Sequence, residues 1–315
     1  MKILITGAEG FVGPHLIDLL ILKGINPSDI YGTFFESVGE RGQKYNINWF
    51  QCDLKNEEII EKLDEIKPSQ IYHLAGQSSV GYSYIAPEET IVNNINSILP
   101  ILKWMRENRD LKTRTIVVSS ADIYKDTGKI PRVENSEMDA WNFYSLSKIC
   151  VDHFCRLYHQ NYGLDIICIR AFNHLGPGQS TRFALPSFAR QIAELERLKK
   201  DGDILTGNLN VWRDFTDVRD VVRAYYSLMQ KGAAGDIYNV CSGKVYNLKD
   251  MLDILTGFAN VNINIVQSED KVRRTDIEYI VGDYSKLNSL TEWKPEIDIK
   301  TTLKDLLDYF GGKSV

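Results

Sequence analysis

Short apolar runs alternate with amphipathic stretches over the first 170 residues of the chain. The runs at 3–5, 30–35, 48–51, 70–74, 115–120 and 165–169 predict strands. Helical periodicity predicts helices at 57–66, 88–107, 144–162 and 186–199, the second of them bent at Pro100. Strands that alternate with helices in this way predict an α/β fold with a doubly wound parallel sheet.

The regular alternation of strands and helices ends near residue 173. We therefore expect a first domain in residues 1–173, to which residues 236–260 return as a strand and a helix. Residues 174–235 and 261–315 are expected to form a smaller C-terminal lobe that binds the substrate. The two lobes should share a cleft.

A glycine-rich turn follows the first predicted strand and leads into a helix. The segment contains Gly7, Gly10, Phe11, Val12 and Gly13. Glycine lets backbone N–H groups approach a pyrophosphate closely, and a helix start favours negative charge. This position within a strand-turn-helix unit predicts a Rossmann-type dinucleotide site.

Composition excludes several classes of partner. A net charge of −5 gives no electrostatic footprint for nucleic acid or an anionic membrane, and no apolar run reaches membrane length. The first predicted strand begins at residue 3, so we expect no removable leader. Five cysteines without a Cys-x-x-Cys pair indicate reduced thiols in a cytoplasmic protein, and five scattered histidines predict no metal site.

Tyr144 and Lys148 are four residues apart on a predicted helix, so both side chains point the same way. A neighbouring ammonium favours phenolate, and we therefore expect Lys148 to lower the pKa of the Tyr144 phenol. Ser120 ends a predicted strand at the edge where α/β sheets bind ligands. Its hydroxyl is expected to hydrogen-bond a substrate oxygen beside the tyrosine.

Taken together, these motifs resemble the extended short-chain dehydrogenases/reductases that act on nucleotide-diphosphate sugars. The resemblance covers nearly the whole chain and is closest to the group of GDP-4-keto-6-deoxymannose reductases and GDP-mannose 4,6-dehydratases. It is carried by the glycine turn, Cys52-Asp53-Leu54, His73-Leu74-Ala75-Gly76, Asn94, Ser120, Tyr144-x-x-x-Lys148, the 170–180 segment, Arg213-Asp214-Phe215 and Trp293-Lys294-Pro295.

The resemblance implies a role for each matched residue. Tyr144 is the expected acid/base, Lys148 its partner and a ribose ligand, and Ser120 the hydroxyl donor. Asp53 is expected to meet the adenine amine, and the cofactor-binding set is completed by Leu54, Leu74, Ala75 and Gly76. The residues expected to bind the nucleotide sugar are Ser78, Ser79, Asn173, Arg213, Arg273 and Asp276.

The sequence is compatible with several reactions. We favour hydride transfer at C4 of a GDP-hexose-like sugar, in the direction of 4-keto reduction. Asp122, two residues after Ser120, lies where related dehydratases carry an acid, which leaves a GDP-mannose-type 4,6-dehydratase open. A 4-dehydrogenase or epimerase of a GDP-sugar such as a GDP-heptose is also open, as is a dinucleotide-sensing regulator without catalysis.

The choice between NAD and NADP depends on the residues after the second strand. Phe35 stands where related NADPH reductases carry an arginine, and Glu36 follows it. Because an acid repels a 2′-phosphate, the sequence favours NAD, although Arg41 or Lys44 could still reach a phosphate of NADP. Wide apolar faces on the helices at 88–107 and 144–162, together with the resemblance, imply a homodimer.

Overall fold

A computed structural model describes residues 1–268 and 277–313. In chain order its strands are Ile3–Thr6 (β1), Ile30–Phe34 (β2), Asn48–Gln51 (β3), Gln70–His73 (β4), Arg114–Ser120 (β5), Asp165–Ala171 (β6), Asn173–Leu175 (β7), Gly202–Thr206 (β8), Trp212–Asp217 (β9), Ile237–Val240 (β10), Val245–Asn247 (β11), Ile263–Gln267 (β12) and Tyr279–Ile280 (β13).

The α-helices are Val12–Leu22 (α1), Gly39–Gln43 (α2), Glu58–Ile66 (α3), Val80–Ile85 (α4), Pro87–Asn96 (α5), Leu99–Glu107 (α6), Phe143–Tyr162 (α7), Ala184–Leu198 (α8), Val218–Lys231 (α9), Leu248–Thr256 (α10), Ser285–Thr291 (α11) and Ile299–Phe310 (α12). Short 3₁₀ helices cover Pro27–Asp29, Arg109–Leu111 and Ala121–Ile123. Over the described ranges, none of the helices has the length and apolar character needed to cross a membrane.

Seven strands form the main sheet in the order β10-β6-β5-β4-β1-β2-β3, and all neighbours are parallel. The order reverses between β1 and β4. In open α/β sheets this switch point opens a crevice at the carboxyl ends of the strands. The predicted Rossmann-type doubly wound sheet is confirmed.

Helices cover both faces of the sheet, and β1 near its middle is buried along its whole length. One face packs against α1, α9 and α11 through residues such as Leu16, Val221 and Leu287. The other face packs against α3, α6 and α7, with Trp104 and Val151 fully or almost fully buried. These two layers fix the position of the strand ends that border the crevice.

A separate apolar cluster joins α8, α10 and α12 through Phe188, Met251 and Leu306. Residues 236–260, predicted to return to the first domain, are therefore divided between two regions. Strand β10 pairs with β6 in the main sheet, whereas α10 packs on α8 and α12. Helix α9, which falls within the predicted smaller lobe, packs on the main sheet. The chain thus passes between the main sheet and the cluster of α8, α10 and α12 more often than the predicted domain limits imply.

The single bent helix predicted for residues 88–107 is wrong. The structure has two helices, α5 and α6, with Ser97 and Ile98 between them. Pro100 lies in the first turn of α6, where its missing N–H costs no hydrogen bond. Proline therefore starts a new helix here instead of bending a continuous one.

Candidate active site

A cleft of about 1960 Å³ follows the carboxyl ends of the main-sheet strands and continues onto α8 and β9. Pockets that hold one drug-sized ligand measure roughly 300–1,000 Å³. The cleft therefore has room for two such ligands at once. Its lining includes Thr33 and Val118 of the main sheet, and Phe188 and Leu248 of the cluster that joins α8, α10 and α12.

The glycine turn forms one end of this cleft. Gly7 has φ of +65°, and a Cβ there would lie 2.9 Å from Cα of Ala75. Its N–H donates to Oγ1 of Thr33 over 2.9 Å, which fixes the turn against β2. Helix α1 begins directly after, and its N-cap residue Phe11 has no side-chain acceptor for the first N–H groups. These features fit a pyrophosphate bound by backbone amides.

Most of the predicted cofactor residues line the cleft. Gly13 and Glu36 do not. Gly13 packs against the backbone of Ala8, and Glu36 is exposed. The predicted residues that line the cleft are Gly7, Gly10, Phe11, Val12, Asp53, Leu54, Leu74, Ala75, Gly76, Tyr144 and Lys148.

Tyr144 occupies the first turn of α7, and a capping box fixes that turn. Oδ1 of Asn142 accepts from the N–H of Ser145 over 2.7 Å, and the Ser145 hydroxyl accepts from the N–H of Asn142. One turn later, Nζ of Lys148 lies 5.9 Å from the centre of the Tyr144 ring and donates to Val118 O over 3.0 Å. The pair therefore faces the end of β5.

Ser120 ends β5, and its side chain has two partners. Its hydroxyl accepts from the N–H of Asp122 over 3.1 Å, which caps a 3₁₀ turn. A hydrogen bond from Ser120 to Tyr144 also acts to lower the pKa of the phenol. The structure thus brings Ser120, Tyr144 and Lys148 together in the cleft, and all three side chains are buried.

The pKa values differ from the expectation. Burial raises the pKa of the Tyr144 phenol, and the negative charge of Asp122 raises it further. Burial also lowers the pKa of Lys148 to about 8. Burial and the charge of Asp122 thus dominate, and the pKa of the Tyr144 phenol is raised where a net lowering is expected from the sequence.

Asp122 and Trp141 form the wall beside the tyrosine. The Trp141 indole N–H donates to Asp122 O over 2.8 Å, and both residues line the cleft. The Trp141 indole is therefore held in this wall by the backbone of Asp122. The negative charge of Asp122 acts on the Tyr144 phenol and raises its pKa.

The predicted substrate residues divide into two groups. Ser78, Ser79, Asn173 and Arg213 line the cleft. Arg273 and Asp276 lie outside the described residues. Ser79 also caps α4 through the N–H of Tyr82 at 3.2 Å. The Arg213 guanidinium donates to two backbone carbonyls, of Trp212 at 2.9 Å and Glu278 at 3.1 Å.

Comparison with known proteins identifies the family. A family profile described as GDP-mannose 4,6 dehydratase matches residues 4–306. The chain belongs to this family. The chain is 30% identical to "GDP-6-deoxy-D-mannose reductase" of Pseudomonas aeruginosa over 97% of its own length and 96% of the relative's. It is also 30% identical to "GDP-6-deoxy-D-talose 4-dehydrogenase" of Aggregatibacter actinomycetemcomitans, over 91% and 90% of the two chains.

A solved structure described as RMD from Pseudomonas aeruginosa complexed with NADPH superposes with a TM-score of 0.82. It is 29% identical, and the match covers 99% of each chain. The resemblance drawn from the motifs is therefore confirmed at the level of the GDP-mannose 4,6 dehydratase family.

Sequence reasoning missed several cleft residues. Glu9 lies within the glycine turn, and Arg182 and Arg190 lie before and on α8. The two arginines carry no local motif, and only the packing of α8 brings them to the cleft. Glu9 did offer a signal, because it is a charged side chain in a turn where small or neutral residues suit a pyrophosphate.

Proposed function

We propose that this protein transfers hydride between a nicotinamide dinucleotide and C4 of a GDP-hexose-like sugar, with 4-keto reduction as the favoured direction. One observation carries the proposal. Ser120, Tyr144 and Lys148 meet in a single cleft with the glycine turn. The GDP-sugar part is supported by the two relatives, which are named as a GDP-6-deoxy-D-mannose reductase and a GDP-6-deoxy-D-talose 4-dehydrogenase.

Tyr144, Ser120 and Lys148 each have one role in this reaction. When bound, a nicotinamide dinucleotide supplies the hydride. The Tyr144 phenol gives its proton to the C4 oxygen, and the Ser120 hydroxyl donates to the same oxygen and holds it in place. Lys148 holds a positive charge one helical turn away, at a pKa of about 8, which stabilises the phenolate left behind.

The same cleft supplies groups for the nucleotide sugar. Asn173, Ser78 and Ser79 offer hydrogen-bond donors, and Arg213 offers a guanidinium for the diphosphate. The exposed guanidinium groups of Arg182 and Arg190 lie on the same side and add positive charge. Arg273 and Asp276 complete the predicted set.

Two incubations test the reaction. The purified protein is mixed with GDP-mannose, or with its 4-keto-6-deoxy derivative, in the presence of NADH or NADPH. We expect loss of reduced-nicotinamide absorbance with the keto sugar, and a product two hydrogen atoms heavier by mass spectrometry. Absorbance and mass unchanged with both sugars would overturn the proposal.

Asp122 supports a second candidate, a 4,6-dehydratase. Asp122 lines the cleft and its charge acts on Tyr144, which supports a role for its carboxylate as the base that takes a proton from C5. Such an enzyme would release one water from GDP-mannose without net consumption of cofactor. This outcome of the first incubation would favour the dehydratase over the reductase.

An Asp122→Asn substitution separates these two reactions further. For a reductase we expect kcat to change by less than about tenfold, because the proton comes from Tyr144 and loss of a nearby negative charge lowers the phenol pKa. For a dehydratase the same change removes the base, and kcat falls by roughly 10²-fold or more. Steady-state turnover with both sugars measures the difference, and Asp139→Asn, at an exposed residue outside the cleft, is the matched control.

We also propose a homodimer that pairs α5 and α7 with the same helices of a second copy. These helices pack side by side, and Val92, Leu146 and Leu157 expose at least 40% of their surface on them. Leu157→Glu is expected to yield monomers in sedimentation velocity. Leu22→Glu, on the distant α1, should leave the dimer intact. A monomeric unsubstituted protein would contradict the assignment.

A further inference from the structure

Glu9 occupies a distinctive place at the cleft. It belongs to the glycine turn after β1, yet its side chain reaches the end of β2 and accepts from the N–H of Phe35 over 3.1 Å at Oε1. The second oxygen, Oε2, is buried and has no hydrogen-bond partner within the described ranges. The carboxylate is thus held by one oxygen, and Glu9 is one of the residues that line the cleft.

This position matters because of where a dinucleotide lies on such a sheet. In Rossmann-type sites an acid at the end of the second strand receives the ribose hydroxyls of the adenosine half. Here Thr33 uses its side-chain oxygen to accept from the N–H of Gly7, and Phe34 and Phe35 carry no side-chain acceptor. Glu36 follows Phe35 but does not line the cleft, whereas Glu9 lines the cleft and holds the N–H of Phe35 just after the strand end.

We propose that Glu9 selects NAD(H) over NADP(H), by accepting a hydrogen bond from the adenosine ribose and repelling a 2′-phosphate. The inference rests on the proposed function for the presence of a nicotinamide dinucleotide and goes beyond it in naming the residue that chooses between the two. The Oε2 atom of Glu9 is buried, so the carboxyl is partly desolvated, and this burial raises its pKa. A second anion placed against it would meet little screening by water.

The cations that a 2′-phosphate would need are engaged elsewhere. Arg41 donates to Pro177 O over 2.8 Å, and Lys44 lies 3.6 Å from the Asp18 carboxylate. Neither residue lines the cleft. The expectation that one of them could reach a phosphate therefore has no support from these contacts.

Two lysines of the first 173 residues do line the cleft, and both have other partners. Lys55 lies 3.5 Å from the carboxylate of Asp53, the residue predicted to meet adenine. Lys148 donates to Val118 O at the opposite, catalytic end. The charged group beside the expected position of the adenosine ribose is thus the Glu9 carboxylate.

Glu9→Gln is the decisive variant, because it keeps a carbonyl oxygen for the Phe35 N–H and removes the charge. Binding of NAD⁺ and NADP⁺ to the cofactor-free protein is measured by isothermal titration calorimetry without any sugar. We expect the unsubstituted protein to bind NAD⁺ more tightly. In Glu9→Gln the ratio of the two Kd values should move toward NADP⁺ by about tenfold or more, or ~1.4 kcal/mol.

Two further variants sharpen the result. Glu36→Gln removes the same charge from an exposed residue outside the cleft, and should leave the ratio within about twofold. Glu9→Ser also removes side-chain volume and should favour NADP⁺ at least as much as Glu9→Gln. Thermal unfolding of each variant shows that the fold is kept.

The outcomes are separable from those of the sugar reaction. An unchanged Kd ratio in Glu9→Gln and Glu9→Ser, or tighter NADP⁺ binding by the unsubstituted protein, overturns the role of Glu9 even if C4 reduction is observed. A shifted ratio with no turnover of any GDP-sugar supports the role of Glu9 and contradicts the proposed substrate.

Discussion

Tyr144→Phe should lower kcat by about 10³-fold while the Kd values for dinucleotide and GDP-sugar change by less than about threefold. The substitution removes only the phenolic oxygen, which is the proposed proton donor in the cleft. General acid catalysis by a positioned side chain contributes typically 10²–10⁴-fold, so its loss is the largest effect expected from a single atom here. Stopped-flow turnover and equilibrium titration measure the two quantities separately.

Tyr72→Phe is the matched control for this experiment. Tyr72 lies on β4, is completely buried and has a hydroxyl without a hydrogen-bond partner among the described residues. Loss of that hydroxyl should leave kcat unchanged, since the ring packs in the core and does not line the cleft. If Tyr144→Phe kept more than a tenth of the activity, the proton would have to come from another group.

The sequence alone is enough to place the catalytic candidates on the right elements. Ser120 ends a strand, and Tyr144 and Lys148 are one helical turn apart, so strand and helix periodicity fix their directions. Periodicity does not fix their pKa values. Desolvation depends on how completely α7 closes over β5, which is a property of tertiary packing.

Tertiary packing also explains two differences between the structure and the predictions from the sequence. The sequence predicts a bend at Pro100, but a break at Ser97 and Ile98 lets α6 pack separately on the sheet. Glu36 follows β2 in sequence, yet Glu9 reaches the end of β2 through a turn. A strand end is shared by several loops, and the nearest residue in sequence is only one of those that can reach it.

The glycine turn shows how the core and the site depend on one another. Gly13 does not line the cleft, but a Cβ on it would lie 2.1 Å from Ala8 O and 2.6 Å from Ala8 C. Ala8 is itself fixed, because its N–H donates to Thr33 O over 3.1 Å. The atoms that would have to move are backbone atoms of the turn, and they position Gly7 and Gly10 at the cleft.

Gly13→Ala should therefore lower the free energy of unfolding by about 3 kcal/mol and weaken dinucleotide binding by at least tenfold. Overpacking in a core typically costs about 1–3 kcal/mol, and the upper end applies because rigid backbone must shift. Chemical denaturation and calorimetric titration with NAD⁺ measure the two effects. Gly311→Ala, at the end of α12, is the control, since a Cβ there meets its nearest neighbour at an ordinary 3.4 Å.

The two effects should appear together in Gly13→Ala and be absent from Gly311→Ala, whose unfolding free energy should stay within about 0.5 kcal/mol. A fall in stability with NAD⁺ affinity unchanged would show that the turn keeps its shape when α1 moves, so that Gly13 serves packing only. Unchanged stability and affinity would contradict the close approach of α1 to Ala8. The coupled loss is expected because one backbone segment both seals the core and presents the N–H groups for a pyrophosphate.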